Sequence, residues 1–564
     1  NHKFSNTYLL IVLLSLLHST NSLAANRYSV ATGNWNATST WSENSGGASG
    51  ASVPVAGDVV YIEGGFTVTV TANAECGSIF FNGTNVNNEI SVNTGVTLSV
   101  TTNTSGTGII TISHSATANT ACAITGAGTV NCVSINAGNN TDPTPTGIRT
   151  VTITSTVSAL TVTGNITFYS WQGTSGTRYT NPILNLQAGT LHVDGQLIGS
   201  FETTSCAATF SMATGVQTGS LILSNATPFP APTIAGTFTR TLSGTTTTVN
   251  YDLAGAQTVF ATAYTNLTLS NSGAKTTTGV TVNGKLSMEG TATASAAPTY
   301  GANATLQYNT NTNRTAGVEW LATFTSSGGV IIANTGIITL NAAKVLDAGD
   351  PLTINSGASL NTGNFQITLG GNFINNGGTF TAGSSSVVIA NTAAAQNIAG
   401  FTTTGGVSMT KTSGTATFTG NVTTASLTMN GNGGTLDLGT GLTHTITGAW
   451  TRTNGTLNGG SSWLQIGGSV SGTTGTFTAG TGTVVWNAAG AQTLAGVTYN
   501  NLTISGSGNK TIATGTVING ILSVQGTAFA TTNAPTYGAS GTLEYNGSAS
   551  QTATAIEFPA TNGP

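Results

Sequence analysis

The sequence predicts an all-β chain whose short strands stack as a parallel β-solenoid, or β-helix. Gly supplies 75 of the 564 residues and charged residues only 5%, against about 25% charged residues in an ordinary soluble domain. Runs that alternate Val, Leu or Ile with Thr or Ser recur at intervals of about 7 to 12 residues between Gly and Asn, which is the pattern of strands. That spacing fits a sandwich, a barrel or a solenoid, and the internal repeats favour the solenoid.

The longest repeat begins with Ala-Gly-Ala-Gln-Thr at positions 254–258, which returns at positions 489–493. A shorter one, Gly-Thr-Phe-Thr-Ala-Gly, stands at positions 378–383 and returns at positions 475–480, so the two repeats have different periods. Tandem β-sandwich domains, the alternative, predict one clean period with visible joints. Stacked coils that contact only their neighbours predict nested, imperfect periods without joints, as seen here.

The N-terminal segment 1–24 has the composition of a secretory signal peptide. His2 and Lys3 precede a compact apolar run at positions 8–17, and Ser-Leu-Ala follows at positions 22–24. The apolar run is shorter than the roughly 20 residues that a membrane-spanning helix needs. We therefore expect an exported chain that is soluble or held at the cell surface; a buried N-terminal strand or helix is the alternative.

Four short motifs follow in order: Gly-Asn-Trp at positions 33–35, Thr-Trp at 40–41, Val-Pro-Val-Ala-Gly-Asp at 53–58 and Thr-Val-Thr-Val-Thr at 67–71. This order resembles the opening of large secreted repeat proteins of Bacteroidetes-type bacteria. It is also similar to the G8-like segment that caps some extracellular β-helical proteins. The motif at positions 378–383 resembles the repeats of the same secreted proteins. The resemblance implies a β-helical architecture and an adhesin-like role, with further repeats and a C-terminal sorting domain after the present chain.

The chain is accordingly expected to contain five segments. They are a signal peptide (1–24), a G8-like β-helical segment (25–140), its solenoid continuation (141–235), a first long repeat unit (236–474) and a second, truncated one (475–564). Truncation is expected because the first copy continues through further strands where the second stops, at Pro564.

The mature segment contains four cysteines, Cys76, Cys122, Cys132 and Cys206. An even number in an oxidising compartment permits disulfides, and the sequence leaves three connectivities open. Cys76 and Cys132 each precede a Ser and an Ile in a similar pattern. If these are equivalent positions on different coils, at least one disulfide is expected among the first three cysteines.

Two pairs of ionisable residues are candidates for chemistry. Asp347 and Asp350 could bind calcium or transfer protons, but Asp before Gly or Pro is typical of a turn. His192 and Asp194 fall on one face of a predicted strand, where we expect a solvent-facing pair. Gly279 to Leu286 nearly matches a phosphate loop but lacks its Ser or Thr, and we interpret it as a strand with its turn.

Composition and motifs predict a chain without catalytic, cofactor or metal sites. Its net charge of −4 and its 12 scattered Lys and Arg residues do not predict a basic surface for binding nucleic acid. We expect an adhesin-like or structural protein that contacts cell-surface or matrix glycans or proteins. Two alternatives stay open: a glycan-binding or polysaccharide lyase-like β-helix, and an ice-binding solenoid with Thr rows at positions 67–71 and 415–419. The aromatic candidates for sugar stacking are Trp171, Trp320, Trp450, Trp463 and Trp486.

Overall fold

The computed structural model describes residues 24–83, 86–102, 106–138, 145–173, 177–391, 395–548 and 550–564. The described residues form short strands and turns, with a single 3-10 helix at Thr38–Thr40. Nearly all strand pairs are parallel, so the predicted all-β solenoid is confirmed. The predicted signal peptide lies, except for Ala24, outside the described residues. The chain divides into two compact units, one up to Leu253 and one from Ala254.

The first unit has three faces, and most coils contribute one strand to each face. The first coil differs, because its strands Asn26–Ser29 and Trp41–Ser42 pair antiparallel on the same face. The first face contains Asn26–Ser29, Trp41–Ser42, Val59–Ile62, Ser78–Phe81, Ile109–Ile112, Ser134–Ala137, Ile166–Ser170 and Leu197–Phe201. The second contains Gly33–Asn34, Thr67–Val70, Asn87–Val92, Thr120–Thr125, Arg149–Ser155, Thr180–Leu186, Ala207–Ser211 and Thr237–Thr241. The third contains Ala74–Cys76, Thr97–Val100, Thr129–Cys132, Ala159–Val162, Thr190–Val193, Ser220–Leu223 and Thr248–Tyr251.

The core consists of ladders of apolar side chains along these faces. Ile79 pairs with Ile110, Ile110 with Ile135 and Ile135 with Ile166, so the coils between them are unequal in length. All four isoleucines are buried. Because successive side chains of a strand point to opposite sides of the sheet, the residues next to these isoleucines in each strand point away from the core. The alternation in the sequence is thus the direct cause of the buried ladder.

The structure around the first coil explains three of the N-terminal motifs. Trp41 is fully buried, donates from Nε1 to the carbonyl oxygen of Trp35 (2.7 Å) and packs edge-to-face on its ring. Asp58 accepts hydrogen bonds from the backbone N–H groups of Ala25 (2.9 Å) and Val55 (3.1 Å). The motifs therefore close the first coil by satisfying backbone donors and packing large rings.

The second unit is built in the same way from shorter coils. Leu267 pairs with Leu286, Leu286 with Leu306 and Leu306 with Val330. Four long strands join two columns of this unit into one sheet, because each either shifts register or pairs with a different strand at each end. They are Ala263–Leu269, Thr281–Met288, Ser426–Asp437 and Trp450–Asn458.

The other strands of that sheet in this unit are Thr299–Tyr300, Thr305–Tyr308, Thr323–Phe324, Val330–Ile332, Lys344–Leu346, Leu352–Ile354, Ile367–Leu369, Phe373–Asn375, Val387–Ile389, Gln396–Ile398, Gly406–Met409, Thr415–Phe418, Val470–Ser471 and Thr476–Thr478. Two further sheets contain Arg314–Thr315, Ile337–Thr339, Ser359–Asn361 and Thr379–Thr381, and Phe401–Thr402, Val422–Thr424, Thr443–Ile446, Trp463–Ile466, Thr483–Trp486, Asn501–Ile504, Ile521–Val524 and Thr542–Tyr545. Three small sheets contain Gln257–Thr258, Ala274–Thr276 and Thr293–Ala294; Gln492–Thr493, Ser507–Ile512 and Thr527–Thr532; and Thr498–Tyr499, Val517–Ile518 and Thr536–Tyr537.

Copies of one sequence motif occupy different faces of this unit. Thr379–Thr381 pairs with Ser359–Asn361. Its copy, Thr476–Thr478, lies in the column that runs through Leu352–Ile354, the strand on the neighbouring face of the same coil. The spacing between the two copies is therefore not a whole number of coils. Each face needs only the same alternating strand and turn, so a short motif can recur on a different face of the solenoid.

Asparagine side chains link successive coils by hydrogen bonds at the corners. In each case Oδ1 accepts a hydrogen bond of 2.9–3.1 Å from a backbone N–H of the following coil. The pairs are Asn73 with Thr97, Asn119 with Thr150, Asn165 with Gln196, Asn266 with Lys285, Asn313 with Ile337, Asn364 with Ser384, Asn372 with Asn397, Asn421 with Thr443, and Asn501 with Ile521. These bonds satisfy donors where the strand ladder is interrupted.

The cysteines correct one expectation. Cys76 and Cys132 do share a column, as predicted, but each pairs with Val100, which lies between them. Two strand spacings of about 4.8 Å separate them, which exceeds the roughly 7 Å that a disulfide can bridge between Cα atoms. All four cysteines are buried free thiols. The predicted disulfide is therefore wrong, although the equivalence behind it is right.

Candidate functional site

The predicted His192–Asp194 pair is the centre of a polar cluster on the third face of the first unit. His192 Nε2 lies 3.2 Å from Asp194 Oδ1, and the two side chains are 34% and 42% exposed. Ser224, one coil further, has its Oγ 2.8 Å from His192 Nε2 and donates to Asp252 Oδ1 (2.6 Å). The sequence predicted the solvent-facing pair, but not Ser224 and Asp252, because they join it only through coil stacking.

The hydrogen-bond directions in this cluster do not activate a nucleophile. Ser224 gives its proton to Asp252, so its oxygen accepts from His192 Nε2, and the imidazole acts there as a donor. In a Ser-His-Asp triad the acid orients the opposite ring nitrogen and Nε2 takes the serine proton. Here both Asp194 and Ser224 approach Nε2. The arrangement suits a surface hydrogen-bond network that joins three coils.

Asp347 and Asp350 form the predicted turn between Lys344–Leu346 and Leu352–Ile354. The Asp350 N–H donates to the Asp347 carbonyl oxygen (3.1 Å), and Gly349 has φ +90°, a conformation that favours glycine. Asp350 is 4% exposed, and burial, reinforced by the charge of Asp347, raises the pKa of its carboxyl group. In the described part of the chain, no group of three or more His, Cys, Asp or Glu side chains is arranged to hold a metal ion.

The segment that nearly matches a phosphate loop has the expected local structure. Thr281–Met288 is a strand, and Gly279, in the turn before it, has φ +73°. The interpretation as a strand with its turn is confirmed.

A buried carboxylate that the sequence did not single out lies in the second unit. Glu319 is fully buried; its Oε1 accepts from Tyr308 OH (3.0 Å) and Gly317 N–H (2.9 Å) and lies 3.6 Å from Arg314 Nη2. Tyr300 OH donates to the Glu319 carbonyl oxygen (2.8 Å). Burial and the Glu319 charge raise the pKa of both tyrosines well above the usual value.

The same cluster recurs one long repeat later, which identifies it as part of the scaffold. Glu557 is 1% exposed and accepts at Oε1 from Tyr545 OH (3.2 Å) and from Thr554 N–H (2.8 Å). Tyr537 donates to its carbonyl oxygen, as Tyr300 does in the first copy. The two glutamates also stand in similar sequences, Val-Glu-Trp at positions 318–320 and Ile-Glu-Phe at positions 556–558.

A second repeated cluster contains a buried lysine. Lys510 is fully buried, and its Nζ donates to the carbonyl oxygens of Ala488 (2.7 Å) and Gly490 (3.1 Å) and to Gln492 Oε1 (3.2 Å). Burial lowers its pKa. Its counterpart in the first copy of the long repeat, Lys275, is also fully buried and donates to Gln257 Oε1 (3.0 Å). These contacts give the repeated Ala-Gly-Ala-Gln-Thr motif a structural role.

The histidine His444 is also internal. The Val422 N–H donates to its Nδ1 (3.2 Å), so Nε2 carries the proton and donates to the Leu438 carbonyl oxygen (2.8 Å). Burial lowers its pKa, because the charged imidazolium is poorly solvated there. His444 therefore caps backbone groups as a neutral side chain.

Most candidate tryptophans are internal. Trp320, Trp450 and Trp486 are at most 1% exposed, and Trp171 is half-buried. Trp463, on an outward strand position, is 52% exposed. Only Trp463 among these five presents a large ring to solvent.

No helix in the described residues has the length and apolarity needed to cross a bilayer. No family model, no curated protein and no solved structure matches this chain.

Proposed function

We propose that this chain is a secreted, cell-surface-attached scaffold of the adhesin-like type, which contacts extracellular glycans or proteins along its faces and has no catalytic centre. The observation that carries the proposal is the repetition of the buried polar clusters. Glu319 and Glu557 bind equivalent tyrosines, and Lys275 and Lys510 bind equivalent glutamines. Buried polar side chains that recur at equivalent positions of both repeat copies are expected to stabilise the repeat fold.

The outward columns supply the contact surface. One column of small side chains crosses six consecutive coils of the first unit: Thr97, Thr129, Ala159, Thr190, Ser220 and Thr248. Many similar weak contacts along such a column add up by avidity and tolerate imperfect repeats. The resemblance of the N-terminal motifs to secreted repeat proteins supports the same role.

Deletion of whole coils tests the proposal. Leu352 pairs with Phe373, so removal of positions 353–373 deletes one coil and preserves the register. Removal of positions 353–363 is the control, because it deletes part of a coil and leaves the following strands without their equivalent partners. On a glycan array and on immobilised matrix proteins, the in-register deletion is expected to fold and to bind with moderately reduced avidity. Complete loss of binding after His192→Ala or Asp350→Ala in a folded protein would contradict a distributed surface.

The enzymatic alternative is tested separately. A polysaccharide lyase-like activity predicts shortening of a polysaccharide by the purified chain and its abolition by Asp194→Ala or Asp347→Ala. We expect no shortening with either the original chain or the variants.

One observation favours the ice-binding alternative. Thr415, Thr435, Thr456 and Thr476 form an outward column of identical residues on four consecutive coils. The next column is less regular, because Asp437 and Asn458 interrupt it and bond to each other (2.6 Å). Thermal hysteresis of the purified chain measures this activity, and replacement of the central threonines by Tyr would abolish it if the column bound ice.

A further inference from the structure

Arg452 in the second unit is a buried cation without an acidic partner among the described residues. It is 7% exposed, its guanidinium carbon lies 5.4 Å from the centre of the Trp450 ring, and Nη2 donates to the Gly475 carbonyl oxygen (2.5 Å). Its Nε has no hydrogen-bond partner, and no carboxylate of the described residues lies within 4.0 Å. Arginine remains charged in proteins, and a buried charge normally needs a counter-ion.

The side chain lines a cavity of about 390 Å³. The walls come from residues 470–473, 493–496 and 513–514, and they contain the hydroxyl groups of Ser471, Thr473, Thr493 and Thr514 but no acidic side chain. This volume lies within the range of about 300–1,000 Å³ that is typical of small-molecule sites. The cavity thus combines one positive group with hydroxyl-rich walls.

We propose that this cavity binds a carboxylate-bearing saccharide, with the Arg452 guanidinium facing the carboxylate. The planar guanidinium matches a carboxylate in geometry and charge. The hydroxyl groups of the walls offer both donors and acceptors for sugar hydroxyls. This inference rests on the cavity alone and does not depend on the adhesive role proposed above.

The chain contains a matched control for Arg452. The order aromatic-Thr-Arg-Thr at positions 450–453 also occurs at positions 238–241. Arg240 lies 4.2 Å from the centre of the Phe238 ring and donates from Nη2 to the Pro230 carbonyl oxygen (3.1 Å). Arg240→Gln therefore removes a similarly packed guanidinium from the other unit without altering the cavity.

Calorimetric titration of the full chain with trigalacturonate tests the proposal, with maltotriose and inorganic sulfate as comparison probes. We expect saturable binding of trigalacturonate and at least tenfold weaker binding of maltotriose. Arg452→Gln should weaken trigalacturonate binding at least tenfold, since a hydrogen-bonded charge pair contributes about that much. Arg240→Gln should leave the affinity unchanged.

A second variant keeps the test decisive if Arg452→Gln does not fold. Ala513 is half-buried at the cavity wall, so Ala513→Leu fills the cavity and retains the guanidinium. It should weaken binding in the same way. The proposal is overturned if the original chain does not bind trigalacturonate, or if folded Arg452→Gln or Ala513→Leu binds it normally. Sulfate binding as tight as that of trigalacturonate would overturn the assignment to a saccharide.

Discussion

Replacement of Gln492 by Leu should destabilise the second unit strongly but locally. Gln492 is 2% exposed; its Nε2 donates to the carbonyl oxygens of Ile466 (2.8 Å) and Gly468 (2.7 Å), and its Oε1 accepts from Ala488 N–H (3.1 Å) and Lys510 Nζ (3.2 Å). At about 1 kcal/mol net for each of these bonds, the loss in the free energy of unfolding is about 4 kcal/mol. In the leucine variant, the carbonyl oxygens of Ile466 and Gly468 stay buried but lose the hydrogen bonds from the Gln492 amide.

Hydrogen–deuterium exchange followed by mass spectrometry measures this effect, because coils that contact only their neighbours open locally. A loss of about 4 kcal/mol corresponds to exchange about 10²–10³-fold faster in peptides that cover positions 466–512. Gln465→Leu is the control, since Gln465 is half-buried on an outward position and makes one long side-chain contact, to Thr445 (3.5 Å). The reasoning is refuted if Gln492→Leu accelerates exchange no more than Gln465→Leu does.

Three further predictions concern ionisable groups. Asp350→Asn should raise the free energy of unfolding at pH 7, because burial and the charge of Asp347 raise the folded-state pKa of Asp350. A carboxyl group whose pKa is raised by folding destabilises the protein once the pH has risen through that pKa. The stability gained by the substitution should therefore vanish below the unfolded-state pKa, where the carboxyl group is protonated in both states. Urea unfolding at acidic and neutral pH measures it, and an equal gain in acid would contradict this cause. Thiol titration of denatured, non-reduced protein should count four free cysteines, and fewer would restore the disulfide hypothesis. Tyr308→Phe should lower the free energy of unfolding by about 1.5–3 kcal/mol, because it removes a buried hydrogen bond to the Glu319 carboxylate. Tyr545→Phe should lower it less, because Tyr545 is 39% exposed. An equal loss of stability in the two variants would argue against burial as the reason.

The sequence by itself determined the strand type, the inward and outward positions and the repetitive architecture. In Thr67–Val70, the alternation decides that Val68 and Val70 are buried. The turns at Asp347–Asp350 and before Thr281 are also predictable locally, because Asp and Gly favour turn conformations. Such features depend on neighbouring residues, so a local pattern suffices to predict them.

Only the tertiary structure decided which residues meet across coils. Contacts between His192 and Ser224, or between Lys510 and Gln492, depend on the register of coils that differ in length, as the ladders described above show. Loop length sets that register, and the alternating pattern does not encode it. The same reason explains the wrong disulfide prediction: the pattern placed Cys76 and Cys132 in one column, whereas the number of coils placed Val100 between them. The burial of Arg452 against Trp450 likewise arises from a strand that turns a corner, which the residue order alone did not reveal.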